Sequence, residues 1–172
     1  MNRFLSMVPL FFIRFGLLRM VNQTAVSRAA YFAPLEGGER TAYLFYQLSN
    51  TFLVLYPLFT KVRTTVPQFY IGLGIYGLGI VILIVSTVHF ATPDQNGFNQ
   101  NGIYRWSRNP MYVGYFFYYL GCCVLTSSLA MTVALIVFQI ASHWIILSEE
   151  RWCKKKLGEE YVVYMSRVRR YL

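Results

Sequence analysis

Long apolar runs alternate with short polar connectors along the whole chain. Residues 4–21 are mostly apolar but are interrupted by Arg14 and Arg19. The pattern predicts a first membrane helix there, or an amphipathic helix lying in the interface. Arg3 ahead of Phe4–Ile13 has the look of a secretory leader. The arginines that follow and the lack of a small-residue cleavage site argue against one. A polar connector follows at 22–40, broken by Pro34 and Gly37-Gly38, and then an uncharged run over about 41–59 that ends near Pro57 and Lys61. The loop 61–68 leads into the clearest run, 69–90, 22 residues without a formal charge. A helix rises 1.5 Å per residue, so about 20 residues cross the hydrocarbon core.

A polar stretch at 91–109 precedes 40 residues, 109–148, with no formal charge. One helix of that length would span a bilayer twice. Thr126-Ser127-Ser128 near its middle predicts a hairpin with arms over about 111–126 and 129–148. The charged tail 149–172 then reads as amphipathic helix, broken at Gly158. The expected fold is all-α: a single polytopic membrane domain over 1–172, with about five spans, a helical hairpin and a C-terminal amphipathic tail. Residues 1–100 supply the N-terminal spans, and 101–172 the core carrying the hairpin and the tail.

Composition supports this reading. Hydrophobic residues make up 56% and charged residues 13%, against about 25% charge in soluble domains. The net charge of +9 does not mark a nucleic-acid binder, because the basic residues sit in short clusters between apolar runs instead of on a solvated face. They read as topology. With the tail in the cytosol, the inside segments hold eleven Lys and Arg against three outside, the bias of cytosolic loops. Cys122, Cys123 and Cys153 form neither a disulfide framework nor a metal set.

Gly72-Leu73-Gly74-Ile75-Tyr76-Gly77 fits a dinucleotide-binding G-x-G-x-x-G literally. That fingerprint works between a strand and a helix N-terminus. Here it lies inside an apolar span, where small residues, Gly79 included, serve close helix–helix approach.

Three segments carry candidate chemistry. Gly102-Ile103-Tyr104-Arg105-Trp106-Ser107-Arg108-Asn109-Pro110-Met111-Tyr112-Val113-Gly114 places Arg108 and Asn109 just before a helix opened by Pro110. An arginine beside a positive helix end is either a head-group anchor or one side of an anion site. Gln139, His143, Ile146 and Glu150 share a helical face. Glu149-Glu150 is either a solvated helix end, partnered by Arg151 and Lys154, or the acidic part of a cavity; a lone His143 is commonly a packing residue and has no second His or Cys at ligand spacing, so no metal site is expected. In the tail, Lys154-Lys155-Lys156-Leu157-Gly158-Glu159-Glu160-Tyr161-Val162-Val163-Tyr164 puts Tyr161 and Tyr164 on one face. That suits an interfacial helix over membrane lipids.

In this order, G-x-Y-x-x-x-R-N-P-x-Y-x-G, a hairpin, E-E and L-G-x-E-Y-x-x-Y, the residues of 101–172 resemble the membrane methyltransferases related to isoprenylcysteine carboxyl methyltransferase and phospholipid methyltransferase. Asn109 stands where many members carry His. The resemblance implies an integral membrane enzyme, with S-adenosylmethionine as cofactor and a lipophilic or prenylated acceptor. It carries over Arg108, Asn109, Pro110, Tyr112, Gly114, Glu149, Glu150 and Tyr161 as site residues. Arg108 and Glu150 are the expected catalytic pair. Arg108 is matched to the cofactor's carboxylate or an anionic acceptor, Glu149 or Glu150 to its ammonium or ribose, Tyr104, Tyr112 and Trp106 to adenine or sulfonium, and Gly114 to a close backbone approach. His143 and Glu150 are candidate bases for an amine acceptor, whereas a carboxylate acceptor needs none. An isoprenylcysteine carboxyl O-methyltransferase is the best match and a phosphatidylethanolamine-type N-methyltransferase the alternative. A nicotinamide-dependent sterol-reductase-like protein and a non-enzymatic membrane scaffold are further readings.

Overall fold

A computed structural model describes residues 6–29, 31–60, 67–93 and 98–172. The features expected at Arg3, Lys61, Arg63 and Asp94 lie outside the described residues. All regular structure among the described residues is helical. Helix α1 (Val8–Phe11) passes into a π-helical stretch, Phe12–Leu17, and then α2 (Leu18–Val21). Helix α3 (Gln23–Ala29) follows, then α4 (Glu39–Leu55), which ends in a 3-10 turn at Tyr56–Leu58, and α5 (Gln68–Ala91). A 3-10 turn at Gly102–Arg105 precedes α6 (Pro110–Thr126), α7 (Leu129–Leu157) and α8 (Glu159–Arg167).

Helices α5 and α7 are long and apolar enough to cross a membrane. Their lipid-side residues are apolar and exposed, as at Ile71, Val81, Ile136 and Ile140, the surface expected where hydrocarbon is the solvent. Helices α4 and α6 are shorter, at 17 residues each.

Helix α7 corrects one sequence boundary. It does not stop at Ser148 but continues to Leu157, 29 residues in all, or roughly 43 Å. Nothing between 149 and 157 breaks a helix. Gly158 does, with φ +64° and no room problem for its neighbours. Glu149 and Glu150 therefore ride on a rigid extension of the last long helix, not on a separate tail.

The turn falls where Ser127 and Ser128 predict it. Ser127 takes a left-handed conformation, and the Ser128 hydroxyl caps α7 by accepting from Met131 N at 3.3 Å. The two arms nevertheless find their main partners elsewhere: α6 lies along α5, and α7 along α4.

The α5–α6 seam is built from small residues on both sides. A Cβ on Gly79 would stand 2.3 Å from Tyr118 N, and one on Gly72 2.9 Å from the Leu125 side chain. From α6, a Cβ on Gly121 would meet Tyr76 N at 2.5 Å, and one on Gly114 the Leu83 side chain at 2.9 Å. Each pair is spaced by seven residues, two helical turns, so one stripe per helix faces the other. Gly74 and Gly77, the other members of the G-x-G-x-x-G match, have open space around them.

At the N-terminus, the hydroxyls of Tyr76 and Tyr118 both donate to the Ser6 carbonyl. At the far end of α5, Asn22 Nδ2 donates to Ala91 O at 2.9 Å and Arg28 Nη2 to Phe90 O at 3.1 Å. Asn22, at the α2–α3 junction, and Arg28 of α3 thus satisfy carbonyls that the last turn of α5 leaves without intrahelical partners.

The seam makes a prediction of opposite sign at neighbouring glycines. Gly79→Ala should destabilise the protein by about 1–3 kcal/mol through overpacking. Gly77→Ala should leave it unchanged or stabilise it by up to about 1 kcal/mol. Thermal unfolding of both variants in detergent checks this.

Candidate active site

The polar connectors 22–40 and 91–109 and the segment 149–172 meet at one end of the helices. The segment before α6 sets the geometry. Gly102 has φ +58°, and the His89 ring lies so close that a Cβ would overlap it. The 3-10 turn that follows points Tyr104 inward and leaves Trp106 79% exposed. Trp106 therefore takes no part in the adenine slot for which its aromatic ring suits it. Pro110 then opens α6.

Ser107, Arg108 and Asn109 grip the chain's own C-terminus. Arg108 N donates to Arg169 O at 2.9 Å, Ser107 Oγ to Arg170 O at 3.4 Å and Asn109 Nδ2 to Arg170 O at 3.2 Å. The Arg108 guanidinium donates through Nη1 to Met165 O and Val168 O, both at 2.8 Å. Through Nε and Nη2 it reaches Glu150 Oε1 at 3.0 and 2.8 Å. Arg170 comes to the same carboxylate, with Nη2 2.8 Å from Oε2. Glu150 is 4% exposed and lies between two guanidinium groups. It is no solvated helix end, and its partners are not Arg151 and Lys154. Arg151 instead pairs with Glu39 at 2.6 Å. Glu150 also raises the pKa of Arg170 above its ordinary value by accepting its hydrogen bonds.

Two turns of helix earlier, His143 Nδ1 lies 2.8 Å from the Tyr171 hydroxyl. The tail thus runs back along α7 from 171 to 165. Helix α8 lies over the opening, with Tyr161 and Tyr164 buried and Tyr164 Oη donating to Tyr104 O at 2.8 Å. Burial pushes the Tyr161 hydroxyl to a pKa above its ordinary value, so it stays a neutral donor.

These elements enclose a cavity of about 970 Å³, at the upper end of the ~300–1,000 Å³ usual for ligand sites. Tyr104, Arg108, Asn109, Tyr112, Glu149, Glu150 and Tyr161 line it. Pro110, Gly114 and His143 are not on its wall: Pro110 is buried at the helix start, Gly114 faces Leu83 across the α5–α6 seam, and His143 faces the tail. Glu149 accepts from Tyr112 Oη at 3.2 Å and forms no ion pair among the described residues. The wall also holds residues that the motifs do not point to: Arg14, Arg28, Tyr46, Asn99, Tyr115 and Trp152. Arg14 had a visible signal, a cation inside an apolar run. Arg28 and Asn99 are ordinary connector residues and had none.

Residues 67–160, more than half of the chain, match the family model described as phospholipid methyltransferase. The chain belongs to this family of membrane methyltransferases, and its cofactor is S-adenosylmethionine. No curated protein and no solved structure matches it. Family membership sets aside the reductase and scaffold readings.

The cavity suits such a cofactor. Two buried polar atoms of its lining residues, Arg28 Nε and Asn99 Oδ1, have no hydrogen-bond partner. Buried polar groups are ordinarily satisfied, so a donor and an acceptor stand ready for a polar ligand. Tyrosine faces supply surfaces that attract a cationic sulfur.

The tail clasp yields a prediction. Arg108→Ala and Glu150→Gln should each destabilise the protein by about 3–5 kcal/mol, because each strands a buried partner. Both should expose the chain beyond Gly158 to protease without any ligand present. Arg170→Ala, at a partly exposed position, should do so less. Limited proteolysis with mass mapping checks the order.

Proposed function

We propose that this enzyme methylates the amine of a phospholipid-like acceptor, in a cavity at the cytosolic end of about five membrane spans. The single observation that carries the reading is the division of labour between adjacent carboxylates. Glu150 is held by Arg108 and Arg170, whereas Glu149 faces the cavity with a tyrosine hydroxyl as its partner. An amine acceptor arrives protonated and must lose a proton before it can attack; Glu149 is the base placed to take it.

The bound cofactor supplies a methyl carbon on a cationic sulfur. The residues of this chain bind and orient. Arg28 and Asn99 offer the donor and acceptor for its polar groups, and Tyr104, Tyr112 and Tyr115 offer aromatic faces to its cation and to the acceptor ammonium. Arg108, Asn109, Glu150 and Tyr161 form the roof and fix the tail that excludes water. Displacement at carbon gains chiefly from such alignment. The charge bias of the connectors supports a cytosolic site, and the 17-residue α4 and α6 complete the membrane bundle beside α5 and α7.

Calorimetric titration of S-adenosylhomocysteine into detergent-purified protein should show binding that Glu149→Gln largely retains. The same variant should lose about 10²–10⁴-fold in methyl transfer to phosphatidylethanolamine in mixed micelles. Full activity in Glu149→Gln would remove its role as base. Transfer to a prenylcysteine carboxylate at an undiminished rate would identify the carboxyl O-methyltransferase instead.

A further inference from the structure

Arg14 is a cation in an apolar helix. It lies mid-way along the π-helical stretch Phe12–Leu17, a form found mostly as short bulges at functional sites. Its guanidinium sits 6.0 Å from the centre of the Tyr115 ring. No carboxylate of the described residues lies within ion-pair distance of it. Arg19, further along the same helix, is exposed, whereas Arg14 is half-buried. A head-group anchor would point outward as Arg19 does. A cation kept inward in such surroundings is costly without an anion or water.

Arg14 also occupies a junction. With Leu18 and Ala29, it lines both the large cavity and a second cavity of about 380 Å³. The second cavity is walled largely by apolar side chains, among them Leu10, Phe11, Phe15, Leu18, Val54 and Leu55. Passing from the small cavity to the large one, the surroundings change from hydrocarbon, to a cation, to the wall that carries Glu149. A glycerophospholipid with an amine head group has the complementary order: acyl chain, phosphodiester, then an amine two carbons further on. A carboxylate acceptor lacks that order, because its anion is the reacting group and would stop at Arg14.

We propose that Arg14 is the residue that recognises the acceptor. It holds the phosphodiester of an amine-headed glycerophospholipid at the junction, with an acyl chain in the smaller cavity and the amine directed to Glu149. The inference rests on the amine-methylating reading for the direction of the head group, but the anion site itself is testable without catalysis.

The experiment is calorimetric binding to the full-length detergent-purified protein, with dihexanoylphosphatidylethanolamine, dihexanoylglycerol, N-acetyl-S-farnesylcysteine and S-adenosylhomocysteine as separate probes. The phospholipid should bind wild type at least about tenfold more tightly than the glycerol lipid, the worth of a charge-assisted contact. Arg14→Gln should erase that preference and leave S-adenosylhomocysteine affinity unchanged. Arg14→Lys should retain part of it, and Arg19→Gln all of it. Equal affinity of wild type for the phosphate-containing and phosphate-free lipids overturns the proposal, and needs no variant to fold. So does unchanged phospholipid affinity in folded Arg14→Gln. Arg14-dependent binding of the farnesylcysteine probe without phospholipid binding overturns the phosphodiester and points to a carboxylate acceptor. Loss of S-adenosylhomocysteine binding in wild type would strike the catalytic reading alone, since the lipid preference is read separately.

Discussion

One buried carboxylate between two guanidinium groups holds the polar end of this protein together. Glu150 could not sit 4% exposed on its own, because removing a charge from water costs several kcal/mol. Arg108 and Arg170 make its position possible, and they come from opposite ends of the last seventy residues. Arg108 belongs to the approach to α6 and Arg170 to the last residues of the chain. Their meeting at Glu150 draws the tail back along α7 and sets α8 over the cavity. The carbonyls of Met165 and Val168 complete the fork of Arg108, so the backbone of the tail is gripped as well as its charge.

That clasp changes what the paired glutamates do. Adjacent residues on a helix point about 100° apart, so Glu149 and Glu150 cannot serve the same partner. One neutralises the arginines that shut the roof. The other is left on the wall of the cavity, beside Tyr112. A single E-E dipeptide thus supplies both the latch and a carboxylate on the cavity wall, the one to which the proposed reaction assigns the proton.

The membrane part is organised by a different force. In hydrocarbon, apolar contact between helices has no water to escape from, and close packing takes its place. The stripes Gly72/Gly79 and Gly114/Gly121 bring α5 and α6 near enough for one backbone to touch the other. This fixes where α6 begins, and with it where Arg108 and Tyr112 stand. On the other side, α7 runs with α4, and the N-terminal helices close the remaining face. The cavity lies where these pairs diverge, with cations contributed by the N-terminal segment and carboxylates by α7.

The local pattern of the chain was enough to read the helical class, the boundaries of α5, the turn at Ser127-Ser128 and the break at Gly158, while the grouping of Tyr104, Arg108, Asn109, Tyr112, Glu149, Glu150 and Tyr161 came from the resemblance to a methyltransferase family. The first four follow from periodicity and from residues that start or stop helices; the last is what a motif order held within one stretch implies through that resemblance. It could not show that Arg108 and Glu150 bind each other, that Trp106 faces out, or that Gly114 belongs to a helix seam. Nor could it place Arg14 and Arg28 on the same wall as residues more than a hundred positions away. Side-chain partnership across such distances depends on how helices lie against one another, and spacing along one helix carries no record of that. Only the tertiary structure brings the two ends of the chain to one cavity, because the contacts that hold them, such as Arg28 to Phe90 O and Arg108 and Arg170 to Glu150, join helices and connectors far apart along the chain.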